Sequence, residues 1–244
     1  MYALSASELL EAWERGLGQQ PIERALTLLA AACPDTPTDA LARLSIGQRD
    51  AHLLSIREWL FGPTLVSLVN CPNCGDRLEL NFNVADIRVP LEGQPPASMS
   101  LSVAGYEVQF RHPNSLDLSA VTRGQDVLNG RRLLLERCLL HVALDEEAKT
   151  IDELPSEVIE SVVEQMAQAD PQADVQLALS CPQCKHQWRA AFDILSFFWS
   201  ELNVWATRIL REVHTLASAY GWCEADILAM SPWRRQMYLE MVSG

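Results

Sequence analysis

Cys71-Pro72-Asn73-Cys74 and Cys181-Pro182-Gln183-Cys184 are two Cys-Pro-x-Cys turns set far apart in one chain. A Cys-x-x-Cys turn presents two thiolates on one side of a tight loop, where both can reach a metal about 2.3 Å away. Each pair fills two of four tetrahedral positions, so each turn needs a second donor pair, and the chain holds one other turn of the same make. Leu65-Val66 and Leu68-Val69 lead into the first turn; Val175, Leu177 and Leu179 lead into the second. Alternating residues leave them: Leu78, Leu80, Phe82 and Val84, then Trp188, Ala190 and Phe192. Strand, metal turn, strand, made twice, is the layout of a zinc ribbon. The exits match too, with Asp86-Ile87 in one copy and Asp193-Ile194 in the other.

Cys71, Cys74, Cys181 and Cys184 are therefore the expected ligands of a structural Zn2+. The usual gap between such pairs is about 15–20 residues. The longer gap here implies a sizeable insertion. Two other readings exist: buried thiol pairs without metal, and two local disulfides. Proline inside each turn and polar residues after it suit ligation better. His186 could in principle compete as a ligand, but with four cysteines at hand it is expected beside the metal or exposed.

The 244 residues suffice for one large domain or two small ones, and 48% hydrophobic with 21% charged residues is ordinary for a globular protein. Nineteen basic against 32 acidic residues leave a net charge of −13, which repels phosphate backbones and disfavours nucleic acid as a partner. It suits a partner with a basic protein surface. Of seven cysteines, Cys33, Cys138 and Cys223 lie outside the turns, an odd remainder that argues against an oxidised framework. No basic region followed by a long apolar run opens the chain, and no apolar stretch approaches the roughly 20 residues that span a bilayer. A reduced, cytoplasmic setting without membrane contact is expected.

Local signals place helices on both sides of the turns. Ser5 with Glu8 forms a capping pair for a helix to Gly16, and Pro21 opens a second helix that Cys33-Pro34 breaks. A short helix near Thr38 and a longer one from Gln48 to Leu60 follow, ended by Phe61-Gly62-Pro63. Strands are expected at Arg77–Val84 and Arg88–Leu91. A hairpin is expected at Leu101–Val103 and Tyr106–Phe110, turning at Ala104-Gly105. Asn114 or Ser115 can cap a helix to Thr122; Val127–Val142 reads as a buried helix, with Cys138 a small core residue; Ser156–Ala169 reads as another. After the second turn an aromatic helical run ends near Tyr220-Gly221, and Ser231-Pro232 opens a last helix. Trp199 and Trp205 read as core, whereas Trp233 and Tyr238, beside Arg234 and Arg235, suit core or partner anchor about equally.

No Gly-rich phosphate loop, Gly-x-Ser-x-Gly elbow or His-Glu-x-x-His helix appears, and His52, His112, His141 and His214 are scattered. No catalytic residue, small-molecule substrate or enzymatic activity is expected.

Three stretches carry a resemblance: Leu53–Pro63 running into Cys71–Gly75, Val108–Leu118, and Glu212–Ala217 with Tyr220–Trp222 and Arg234–Leu239. Together they resemble the baseplate-hub assembly chaperone family of T-even-type contractile phage tails, similar proteins being encoded with phage-like contractile injection systems. The resemblance implies a non-enzymatic protein of baseplate assembly or structure, with other baseplate or hub proteins as partners. It would work in the cytoplasm of the host or producing cell, with incorporation into the particle left open. The alternative is a zinc-ribbon adaptor of a transcription or other protein complex.

The expected class is α+β, mostly helical. One interlocked domain over 1–244 would comprise N-terminal helices (1–64), zinc-ribbon strands forming a small antiparallel sheet (65–110 and 175–194), a helical insertion (111–174) and aromatic-rich helices (195–244).

Overall fold

The structure is a computed structural model and describes residues 1–90, 96–122, 127–145 and 147–243. In chain order the elements are α1 (Ala6–Gly16), α2 (Pro21–Ala32), α3 (Thr38–Ala42), α4 (Ile46–Phe61), β1 (Thr64–Asn70), β2 (Arg77–Asn83), α5 (Val84–Ile87), β3 (Met99–Val103), β4 (Tyr106–Phe110), α6 (Ser115–Thr122) and α7 (Val127–Cys138). There follow β5 (Leu139–Leu144), β6 (Glu147–Ala148), α8 (Ser156–Ala169), β7 (Gln176–Ser180), β8 (Gln187–Ala191), α9 (Ile194–Tyr220), α10 (Glu224–Ala229) and α11 (Pro232–Ser243). The chain is mostly helical with small antiparallel sheets, and among the described residues no helix is long and apolar enough to cross a membrane. It divides into two compact units, Met1–Pro37 with Asp193–Gly244, and Thr38–Phe192.

The first unit joins both chain ends. Ser5 accepts the Glu8 N–H and Glu8 accepts the Ser5 N–H, the reciprocal cap read from the sequence. The Asp193 carboxylate caps α9 through the Leu195 N–H at 3.0 Å, and Gly221, at φ +69°, ends it in the left-handed region. Leu10, Ile209, Leu216 and Ile227 form its core, with Trp13, Trp205 and Trp222 packed around them. A side chain at position 16 would strike the Trp199 indole, over which Arg24 lies at 4.6 Å.

In the second unit β3–β6 form a four-stranded antiparallel sheet in sequential order. Its buried side, Val108, Phe110 and Val142, packs with Val158 and Val162 of α8. Ala104 and Gly105 both take positive φ, 51° and 83°, the backbone of a two-residue turn suited to strand twist.

Three expectations are corrected. The helix expected over Val127–Val142 stops at Cys138, because Leu139–Leu144 pairs with β4; Leu135 and Cys138 are buried, whereas Leu133 and Leu140 are exposed. The insertion 111–174 thus contains strands as well as helices. Arg88–Pro90 forms no strand, and Leu91 lies outside the described residues. The two cysteine turns do not share one sheet: β1–β2 and β7–β8 are separate two-stranded sheets, and β3 and β4 belong to a third.

Candidate metal centre

The two cysteine turns are built alike. In the first, the Cys71 N–H donates to the Asp76 carbonyl at 2.8 Å and the Gly75 N–H to the Cys71 carbonyl at 2.9 Å. In the second, the Cys181 N–H donates to the His186 carbonyl at 2.9 Å and the Lys185 N–H to the Cys181 carbonyl at 3.0 Å. Both turns need a left-handed residue after the second cysteine. Gly75 supplies it at φ +76° without steric cost, whereas Lys185 adopts it at φ +61° against its Cβ.

The four Sγ atoms lie within 4.8 Å of one another, the one such group of metal-ligating side chains among the described residues. The hydrogen-bonding sulfur pairs run between the turns: Cys71 to Cys184 at 3.7 Å and Cys74 to Cys181 at 3.6 Å, all four being free thiols. A regular tetrahedron with metal–sulfur bonds of about 2.3 Å has edges of about 3.8 Å. The donor set and its spacing therefore fit a four-thiolate ion site. Cys71 and Cys181 are buried, while Cys74 is exposed and Cys184 half-buried, so the cluster opens to solvent on one side.

The insertion folds back through two polar side chains at its end. Gln172 is buried; its Oε1 accepts the Val89 N–H at 2.7 Å and its Nε2 donates to the Ile87 carbonyl at 3.2 Å, so it grips the chain just after the first hairpin. Asp170 accepts the Gly47 N–H at 2.9 Å at the start of α4, where any side chain at position 47 would collide with its carboxylate. On the other side Arg88 donates to Ser55 at 3.0 Å and Glu58 at 2.6 Å. The facing hairpins also meet through Phe82 and Phe192, edge to face with centroids 5.6 Å apart. The arms are thus held close by contacts that involve no metal.

The thiols share protons unequally. The Asn73 side chain and then the His186 backbone hold Cys184 down to about 6. At Cys74 a backbone hydrogen bond at Asp76 lowers the thiol, but desolvation and the neighbouring thiols outweigh it and push it up to about 12. Four thiolates at this spacing repel one another strongly, and a divalent cation removes that penalty. His186 is outside the sulfur cluster, its ring stacked on Trp188 with centroids 5.9 Å apart.

Asp170 and Gln172 escaped the sequence reading, where Asp170-Pro171 registered only as a helix stop. So did Asp117, fully buried in a segment that carries the resemblance. It accepts two bonds from Arg111 at 2.6 and 3.0 Å, one from Arg137 at 2.9 Å and the Asn114 N–H at 3.1 Å. Burial raises its carboxyl, but these bonds, Arg111 first, hold it below the ordinary range. Arginine and aspartate six residues apart around Pro113 were the available signal. Cys138 is a core thiol as read, and burial pushes it up to about 11. Trp199 and Trp205 are half-buried; Trp233 is 74% exposed, whereas Tyr238 packs against Trp222.

A family model described as T4 bacteriophage base plate protein matches residues 6–199. No curated protein and no solved structure matches the chain.

Proposed function

Because the chain belongs to the T4 bacteriophage base plate protein family, we propose that it is a non-enzymatic, zinc-binding protein acting in the assembly or structure of a contractile tail or injection-system baseplate. The observation that carries this reading is the family match over residues 6–199, most of the chain. Its partners would be other baseplate or hub proteins.

In this reading Cys71, Cys74, Cys181 and Cys184 hold one Zn2+ as thiolates, with His186 outside the ligand set. Four protein ligands leave no coordination position for water or substrate, so the ion is structural. It fastens the two arms that enclose the insertion and holds the second unit in one shape for docking. The net charge of −13 supports a protein partner with a basic surface over nucleic acid.

Co-expression with the neighbouring baseplate proteins, followed by affinity purification, tests the assembly role. The expected result is a stable complex with at least one of them and defective particles in a deletion strain. Normal particles from the deletion strain, with no complex formed, would overturn it.

A further inference from the structure

The two hairpins leave four strand edges, and the hydrogen-bond phase fixes which residues face each. The bonds from the Cys71 N–H to the Asp76 carbonyl and from the Val84 N–H to the Pro63 carbonyl mark bonded pairs at both ends of β1–β2. With the observed register, the bonded pairs between them are Leu65 with Phe82, Ser67 with Leu80 and Val69 with Leu78. Thr64, Val66, Leu68 and Asn70 therefore aim their N–H and C=O groups away from β2, and no backbone bond to them from another segment occurs among the described residues.

The edges differ in protection. Natural edge strands are blunted by charge, proline, bulges or shortness. By the same phase β2 presents Arg77 and Glu79 along its edge, and β8 presents Arg189. β7 is only five residues long. β1 has none of these devices: it runs seven residues, Thr-Leu-Val-Ser-Leu-Val-Asn, with no charge, proline or register shift. Val66 and Leu68, on its outer face, are 52% and 53% exposed.

The strand is also its own complement. Turned antiparallel about Ser67, it sets Thr64 opposite Asn70, Leu65 opposite Val69 and Val66 opposite Leu68. The facing pairs Thr64/Asn70 and Val66/Leu68 are those whose backbone groups point outward, so side-chain order and hydrogen-bond phase agree in this register. Val66 and Leu68 of both copies would form one apolar stripe. We propose that this edge pairs with the same edge of a second copy, joining two hairpins into a four-stranded sheet across a two-fold axis.

One edge pair buries less than the roughly 1,200 Å² of durable interfaces, so association should be a concentration-dependent equilibrium. Each copy carries −13 while residues 64–70 carry no charge, so salt should strengthen the pairing by screening repulsion elsewhere. A basic partner would show the opposite salt dependence.

Sedimentation equilibrium of the full chain over roughly 5–500 μM tests this. The mass should rise from 27.2 kDa toward twice that value, and more steeply at high salt. Leu68→Lys should weaken association about tenfold or more while bound metal stays unchanged, and Glu79→Lys, on the other edge, should leave association intact. Val66→Pro removes an outward N–H that β2 does not use, and should act like Leu68→Lys. A wild type that stays at 27.2 kDa throughout overturns the proposal, as does undiminished association of Leu68→Lys. A monomer whose β1 edge instead captures an extended segment of a different baseplate protein also overturns it.

Discussion

The two cysteine hairpins share a turn and differ in almost everything around it. The first has Gly75 at its left-handed position, a bare outer strand and Arg88 reaching to α4 through an ion pair whose groups are about a third exposed. The second has Lys185 in the same backbone state, short blunted edges and an approach held by buried Asp170 and Gln172. One arm is relaxed in its turn and tethered at the surface; the other is strained in its turn and tethered in the interior. The difference teaches that a cysteine cluster drawn from distant segments rests on supports of unequal strength, which a shared ion would level only while bound.

The largest effect should come from removing that equivalence. Cys71→Ser and Cys181→Ser, one on each arm, should both lose the metal and cost on the order of 5 kcal/mol or more, given about 10–16 kcal/mol for structural zinc in finger peptides. Chemical denaturation with and without chelator measures this. One arm's variant keeping wild-type metal affinity would break the shared-site reading.

Next, Gln172→Ala should cost about 1–3 kcal/mol, because it leaves the Val89 N–H and Ile87 carbonyl without their buried partner. Arg88→Ala should cost about 1 kcal/mol or less, since Arg88 and Glu58 are each about a third exposed and solvent screens the pair. Equal losses, measured by urea midpoints, would show that the tethers do not differ in strength.

These tethers also mark what the sequence could convey. The cysteine turns, the Ser5 and Ser45 caps and the extent of α8 were legible or nearly so because each depends on residues within a few positions. The Ser45 cap, reciprocated by Gln48 three residues on, starts its helix at Ile46, two residues before the expected Gln48. Leu139–Leu144 misled because its apolar run suits a helix as well as a buried strand, and pairing with β4 decides between them. Gln172 bonded to Ile87, and Asp170 bonded to Gly47, leave no periodic trace, because their partners lie 85 and 123 positions away. The candidate site was readable as a donor set; its supports, and the separateness of its two sheets, were not.

The proton inventory separates the arms further. In the metal-free protein at neutral pH, Cys74, pushed up to about 12, keeps its proton, while Cys184, held near 6, is largely ionised. Binding must therefore displace at least the Cys74 proton, so affinity rises with pH and falls as acid returns protons to the thiolates. Each proton released is worth about a tenfold change per pH unit, or about 1.4 kcal/mol. Chelator competition between pH 6 and 8 should show this slope; a pH-independent affinity would contradict it.

The smallest effects lie in the turns. Lys185→Gly should stabilise the second arm by about 0.5–1 kcal/mol, relief of the left-handed strain outweighing the glycine's extra entropy when unfolded. Gly75→Ala should cost the first arm about 1 kcal/mol. Thermal midpoints of the metal-loaded variants give both signs, and two changes of the same sign would show that the turns are not matched.

The central claim is that four sulfurs from both arms surround one ion, and X-ray absorption at the zinc edge, on protein purified without added metal, tests it most directly. The account predicts one zinc per chain with four sulfur neighbours at about 2.3 Å. Metal-free protein, or zinc bound through fewer than four sulfurs, would contradict it.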